Sequence, residues 1–582
     1  MTINPVFVMK KTYLMMAGAV LACIALVACN KEQEVKEENN PENEVERVTE
    51  VIRASWDEGE TKGNIAEDGG AFTWSAGDRI AIHTDNGSGM WYYSEALVAG
   101  DEGKASANFT TSYAGTRDAV AVFPNSLVTA GAADLSSGLT VTLPSSYALA
   151  DVQGDKAPTP MVADNTAETL AFKHLCGLLR LTINGIPAEA TKLTVDFLGR
   201  QVHGDFTIAA GNLTPGDAAC IISTTSPSVN DVITITNLDG SASVTVNIPL
   251  PAGTYDDVVI TPYSGDDALK LMAVRHIKGG SYTASRAHRR KLTATLVSFS
   301  VSAEKKVIFS PGNLVYDNGN WRFHANQYDR CFTEDGDVSS HYTSTGTFDL
   351  FGWGTSGWRN TSTEEGGSGV TSWINYQPWA TATADLSETY PYNVYGYGPD
   401  YNRTPNSLTG TYAKGDWGVY NQIGDYPAGT WRTPTYLTDG DGEWDYLIFY
   451  RDGHDTKCNQ GTVENVYGLI ILPDNFVDPE TNEGSGGTSF YTAINNGFSH
   501  NIYGGSNWEA MESAGAVFLP GEGIRQSTSV SNIGTKGNYG YYWSSSASDN
   551  GKANRLVFRS NTCGKGSKPH HQGYSVRLVR DL

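Results

Sequence analysis

Short runs of alternating apolar and polar residues recur along most of the chain, and none lengthens into a sustained helical period. Ala71-Phe-Thr-Trp74, Arg79-Ile-Ala-Ile82, Ala119-Val-Ala-Val-Phe123, Leu139-Thr-Val-Thr-Leu143, Val232-Ile-Thr-Ile-Thr236 and Val244-Thr-Val-Asn-Ile248 each place every second residue on one face. Side chains alternate across a strand, so these runs predict half-buried strands. Gly, Asn, Asp and Ser cluster between them as turns. Strands at this spacing predict sandwiches or barrels, a mainly β protein. One segment departs from the pattern. Asn507-Trp-Glu-Ala-Met-Glu-Ser-Ala514 predicts a helix capped by Asn507 and stopped by Gly515, with Trp508 and Met511 inward at i, i+3.

The N-terminus is patterned differently. Lys10-Lys11 precede an apolar run from Tyr13 to Ala28, which stops at Cys29. A charged n-region followed by a short apolar h-region predicts a secretory signal over residues 1–28, and the run is short for a membrane span. Residues 29–50 are acidic and poor in apolar side chains, which predicts a flexible tether.

Charge and cysteine usage narrow the function. A net charge of −23 leaves no basic stripe to neutralise phosphates, which argues against nucleic acid as a partner. Past Cys29 the cysteines are Cys176, Cys220, Cys331, Cys458 and Cys563. An odd, widely spaced set predicts neither a disulfide framework nor a zinc site. No His or Asp stands convincingly near any of them in sequence, and no nucleophile motif is present, so the expectation is no enzyme, no cofactor and no metal. Asp439-Gly-Asp-Gly-Glu443 alternates carboxylates but lacks the full calcium-loop spacing, so a solvated turn is expected.

Several segments resemble known families. Leu26-Val27-Ala28-Cys29 resembles the lipobox of bacterial lipoproteins, which implies lipidation at Cys29 and an outer-membrane, cell-surface location. The acidic stretch after it resembles the surface-export signal of Bacteroides-group lipoproteins, and a plain linker remains the alternative. Phe72-Thr-Trp-Ser-Ala-Gly-Asp-Arg-Ile80, Met161-Val-Ala163 and Leu170-Ala-Phe-Lys-His-Leu-Cys-Gly-Leu-Leu179 resemble the fimbrillin-like subunits of type V pili. That resemblance implies two tandem transthyretin-like β-sandwiches, at 51–168 and 169–297, and partner subunits joined by strand exchange. It also implies trimming by an Arg-specific protease, with Arg47 and Arg53 in the right stretch. His174 falls on the family's recurring Phe-x-His position and reads as a core histidine.

Residues 298–582 hold ten of the thirteen Trp residues. Pro311-Gly-Asn-Leu314, Phe351-Gly-Trp-Gly354, Trp431-Arg-Thr-Pro434, Gly468-Leu-Ile-Ile-Leu-Pro473 and Tyr542-Trp-Ser-Ser545 fall in an order that resembles the Fibrobacter major paralogous and Lcl C-terminal families. The implied fold is an irregular α+β C-type-lectin-like, or formylglycine-generating-enzyme-like, domain. Its aromatics are expected in the core. The ending Trp543-Ser-Ser-Ser546 … Gly573-Tyr-Ser-Val-Arg577 also resembles the variable region of retroelement-diversified proteins. Such variation does not produce Lys552, Lys565 or Lys568, so those positions depart from that pattern. Between the two ends, Asp549, Asn550, Asn554, Arg555, Arg559, Asn561, Cys563, His570 and His571 are the expected ligand-binding positions.

Together these features predict a lipid-anchored surface adhesin, a pilus tip or tip-like subunit. It would present a host, bacterial or glycan ligand face on its C-terminal domain. The alternatives are a structural assembly subunit without its own ligand and a glycan-capturing or glycan-processing lipoprotein.

Overall fold

The computed structural model describes residues 47–56, 73–213, 222–277, 289–333, 336–337, 345–354, 407–548, 552–569 and 572–582, apart from short breaks at 86, 102, 155, 157, 438–439, 494–496, 527–528 and 532–538. Cys29 and Cys220 lie outside these residues. From Arg47 to Leu582 the chain forms one compact unit.

The first sheet has eight strands. Its N-terminal strand, Arg47–Trp56, runs antiparallel to Ser106–Ala114 on one side and parallel to Thr169–His174 on the other. Ile52 and Ala54 point inward while Val51 and Arg53 are exposed, the alternation a one-sided sheet demands. The core beneath is organised by Trp74, whose ring meets Phe109, Phe123 and Phe172 edge-on at 4.9, 5.1 and 5.9 Å. Trp74 sits on a loop, where a strand was expected. Residues 47–50 also depart from the expected tether. They belong to the strand, because backbone pairing to residues 111–114 captures them despite their exposed side chains.

A second pair of sheets packs face to face. Gly177–Asn184 lies between Ser243–Leu250 and Arg289–Thr295, and its Leu179, Leu181 and Ile183 share a core with Leu193, Val195, Ile233 and Ile235 of the opposing sheet. The expected boundary at 168/169 is not where the strands divide, since Thr169–His174 stays in the first sheet. The two units also interlock. Leu139–Leu143 pairs with Gly204–Ile208, and Ser146–Ala148 runs parallel to Val232–Thr236.

The C-terminal region is built from several small sheets around a Trp-filled core. Trp353, Trp417, Trp431, Trp444, Trp508 and Trp543 are all essentially inaccessible to solvent. The helix forms at Gly505–Ser513, starting two residues earlier than expected. Gly504 is its N-cap and Asn507 instead hydrogen-bonds the Glu483 carboxylate, while Trp508 and Met511 do point inward. Gly515 follows the helix at φ +92°, the left-handed conformation that favours glycine after a helix. The closing strand Val579–Asp581 returns to pair with Lys306–Phe309.

This region is welded to the second pair of sheets. Arg200 reaches Asp425 at 3.1 Å, the Thr295 hydroxyl donates to the Ser513 carbonyl at 2.6 Å, and the Asn475 amide donates to the Leu296 carbonyl at 2.8 Å. Met272 and Val297 are buried in the same core as Trp431 and Trp444.

Candidate functional site

The segment carrying the expected ligand positions folds as a three-stranded antiparallel sheet: Gly540–Ala547, Lys552–Arg559 and Thr562–Pro569. Tyr542, Leu556 and Phe558 are buried on one of its faces, and Trp543 and Ala553 on the other. A Cβ at Gly540 would run into the Phe558 ring, so glycine lets the first strand pass close over that ring. The Trp543 indole donates to the Phe351 carbonyl at 2.7 Å, and the Trp353 indole donates to the Ser544 carbonyl at 2.6 Å. These reciprocal bonds fix the sheet to the Phe351-Gly-Trp353 segment.

Asp549, Asn550, His570 and His571 lie outside the described residues. The other five expected positions divide. Arg559 and Asn561 are exposed at the hairpin end, with the Arg559 Nε donating to the Thr562 hydroxyl at 2.8 Å. Asn554 is half-buried and its amide donates to the carbonyls of Tyr436 and Ala547 at 3.2 and 3.1 Å, so it staples the hairpin to a neighbouring loop. Arg555 is buried against aromatic rings, with its guanidinium 4.3 Å from the Tyr541 centroid and 4.8 Å from that of Tyr574. Cys563 turns inward to Cys458, and both thiols line one small cavity. Asn554, Arg555 and Cys563 therefore bind the protein's own interior, a correction to their expected role. Polarity alone had placed them on the surface.

Two residues outside the expected set are exposed nearby. Lys565 and Lys568 project from opposite faces of the outer strand, and with Arg559 at the hairpin end they make its edge a cationic rim. The signal was available, since Thr562–Pro569 contains no large apolar residue. The rim contrasts with a chain of net charge −23.

Two other features bear on chemistry. His324 Nε2 bonds the Asp349 carboxylate at 2.8 Å, and the Cys331 backbone N–H donates to the same oxygen at 2.6 Å. His324, Cys331 and Asp349 each offer one ligand atom, all within 4.8 Å of one another, a set able to hold a metal ion. This corrects the expectation that no His or Asp partners any cysteine. Burial, followed by the negative charge of Asp349, pushes the Cys331 thiol well above its usual range. A cleft of about 830 Å³ lies elsewhere, between Asn184, Lys291 and Thr293 of the second unit and Glu509 and Ser513 of the helix. None of the five described ligand candidates lines it.

Arg47, expected in the tether, and Arg53 are both in the N-terminal strand. Arg53 sits opposite Asn108 on one side and Thr169 on the other, so a protease meets it only after the strand leaves the sheet.

No protein-family model matches the chain, and no curated protein does. Among solved structures, one described as a cell adhesion protein from Bacteroides uniformis is 19% identical, with 42% of this chain and 92% of that one covered at a TM-score of 0.25. The tip fimbrial protein Mfa3 from Porphyromonas gingivalis is 12% identical over 42% of this chain and 94% of that one, with a TM-score of 0.21. A fimbrial protein from Bacteroides ovatus is 9% identical over 91% and 98%, with a TM-score of 0.17. At these scores the likeness carries no argument, and the functional reading rests on the chain's own residues.

Proposed function

We propose that the chain is a cell-surface adhesin of the fimbrial type, lipid-anchored at Cys29, which binds a ligand on another surface through its C-terminal hairpin. The carrying observation is the contrast between the packed interior of that hairpin and its free edge. Trp543, Leu556 and Phe558 are buried in its first two strands, while the hairpin end exposes Arg559 and Asn561 and the edge strand exposes Lys565 and Lys568. A rigid platform with adaptable polar side chains suits recognition, because little ordering entropy is lost on binding. The basic rim favours an anionic or hydroxyl-rich partner, with recognition rather than catalysis as the role. The interlocked sheets behind it would hold the platform away from the membrane as a stiff stalk.

The test uses the full chain on cells, because the C-terminal region shares its core with the preceding unit. Replacing Arg559, Lys565 and Lys568 together by Glu should abolish adhesion to glycan-coated or cell surfaces while display at the surface is unchanged. Unaltered adhesion would refute the hairpin as the binding face. Comparing the 3′ ends of this gene in sibling isolates tests diversification of the same face.

A second reading, an assembly subunit, is favoured by the N-terminal strand. It lies between two partner strands, so its removal would open a groove for a strand from another subunit. Mass spectrometry of surface material distinguishes an intact N-terminus from a chain starting at Ala54.

A further inference from the structure

We propose that Cys458 and Cys563 form a disulfide when the folded protein meets a disulfide oxidant, and that this bond locks the ligand-presenting hairpin to the central sheet.

The two residues are 105 positions apart in sequence, and the fold brings them together from different sheets. Cys458 opens the strand Cys458–Val463, which pairs with Val466–Ile471. Cys458 and Gln460 share one face of that strand by its period of two. The face abuts the hairpin, because the Gln460 amide donates to the Arg559 carbonyl at 3.1 Å. Cys563 lies directly opposite Phe558 in the hairpin register. Residues directly opposite in an antiparallel pair point to the same side, so Cys563 follows the fully buried Phe558 inward.

Both thiols line one cavity of about 100 Å³, walled by Ile448, Phe449, Leu469, Asn459 and Gln460. The neighbouring Cys458 thiol, followed by burial, holds Cys563 well above its usual titration range. The cavity leaves space for the small side-chain rotations a disulfide needs. Its walls argue against a metal. They offer no imidazole or carboxylate, and the Asn459 amide is already committed to the carbonyls of Tyr491 and Ala493 at 2.7 and 3.0 Å.

The chemistry balances with a disulfide oxidant such as oxidised glutathione. One protein thiol loses its proton and attacks a sulfur of the oxidant. A mixed disulfide forms and one thiolate leaves. The second protein thiol then loses its proton and attacks the protein sulfur of that mixed disulfide, releasing the other thiolate. The protein gives up two electrons and two protons, and the oxidant becomes two thiols.

The consequence falls on the hairpin. Among the described residues, its outer strand Thr562–Pro569 pairs only with Lys552–Arg559. A cross-link would fasten that edge to the sheet below. Closing so long a loop also restricts the unfolded chain. The surface reading supplies the place where an oxidant is met, but the reaction itself does not depend on that reading.

The experiment incubates the purified full chain with oxidised glutathione, then denatures, alkylates and digests it without reductant. The expected result is a linked peptide pair joining Cys458 and Cys563, lighter by two hydrogens, with Cys176 and Cys331 recovered alkylated. The melting temperature should rise on oxidation by several degrees and fall back with reductant. Cys458→Ser and Cys563→Ser should each remove that difference. If either variant fails to fold, the peptide map of the unaltered chain still decides. Full alkylation of both cysteines after oxidation would overturn the proposal, as would pairing of either with Cys176 or Cys331. A cross-link formed in the tube by a chain that never reaches the cell surface would leave the bond standing and remove the adhesin reading.

Discussion

The guanidinium of Arg555 lies 4.3 Å from the centroid of the Tyr541 ring, and the Tyr574 ring flanks it at 4.8 Å. A residue that reads as a ligand contact in sequence is thus a strut within the hairpin. A cation held over two rings and shielded from water contributes through both electrostatics and packing. Arg555→Ala should destabilise the protein by about 1–3 kcal/mol, whereas Arg559→Ala, at an exposed site, should stay within about 0.5 kcal/mol. Thermal unfolding of the two variants checks this. Equal losses would refute the division of roles.

The reciprocal indole bonds of Trp353 and Trp543 make a second contrast. Trp543→Phe keeps most of the apolar contact and removes one of two donors to the buried Phe351 carbonyl, which still accepts from the Tyr574 backbone N–H at 3.0 Å. The expected cost is about 0.5–1.5 kcal/mol, measured by denaturant unfolding. Trp543→Ala should cost about 3–5 kcal/mol, because a cavity is added.

His174 predicts an acid limb in the stability profile. Burial lowers its pKa from the usual 6.5 to about 4. Between those values the unfolded chain takes up a proton that the folded chain refuses, so stability falls as pH drops from 6.5 to 4. The loss amounts to roughly 3 kcal/mol, at 1.36 kcal/mol per unit of difference. Melting temperatures from pH 8 to pH 4 for the native chain and for His174→Gln check this. The variant should lose less stability across that window.

The N-terminal strand predicts a graded response to an Arg-specific protease. Arg47 begins the strand with an exposed side chain, whereas Arg53 is held by backbone partners on both sides. Cleavage of the folded chain after Arg47 should be on the order of tenfold faster or more than after Arg53, because only the strand's end frays readily. Time-resolved mass spectrometry of the digest reads the ratio, and denatured protein should show no such preference.

The cationic rim predicts salt-sensitive binding. Lys565→Glu and Lys568→Glu should each change the melting temperature little and weaken ligand binding, with the remaining affinity falling less steeply with ionic strength. A neutral effect at low salt would rule the rim out as a contact surface.

The sequence by itself determined the β class, the helix that buries Trp508 and Met511, and the inward placement of the Trp motifs. Each follows from the local spacing of apolar residues, which sets the face a side chain occupies once the element forms. What the sequence left undecided were relations across long separations. Arg432 forks onto Glu443 at 2.6 Å and also pairs with Asp581, 149 residues away, binding the closing strand to the Trp431 loop. Cys563 meets Cys458, His324 meets Asp349, and Arg555 finds its rings only when the strands carrying them are laid side by side. A polar residue in a sequence looks the same whether water or a buried partner satisfies it. Burial of a charge or thiol depends on which distant groups compensate for lost solvation, and the tertiary structure decides that.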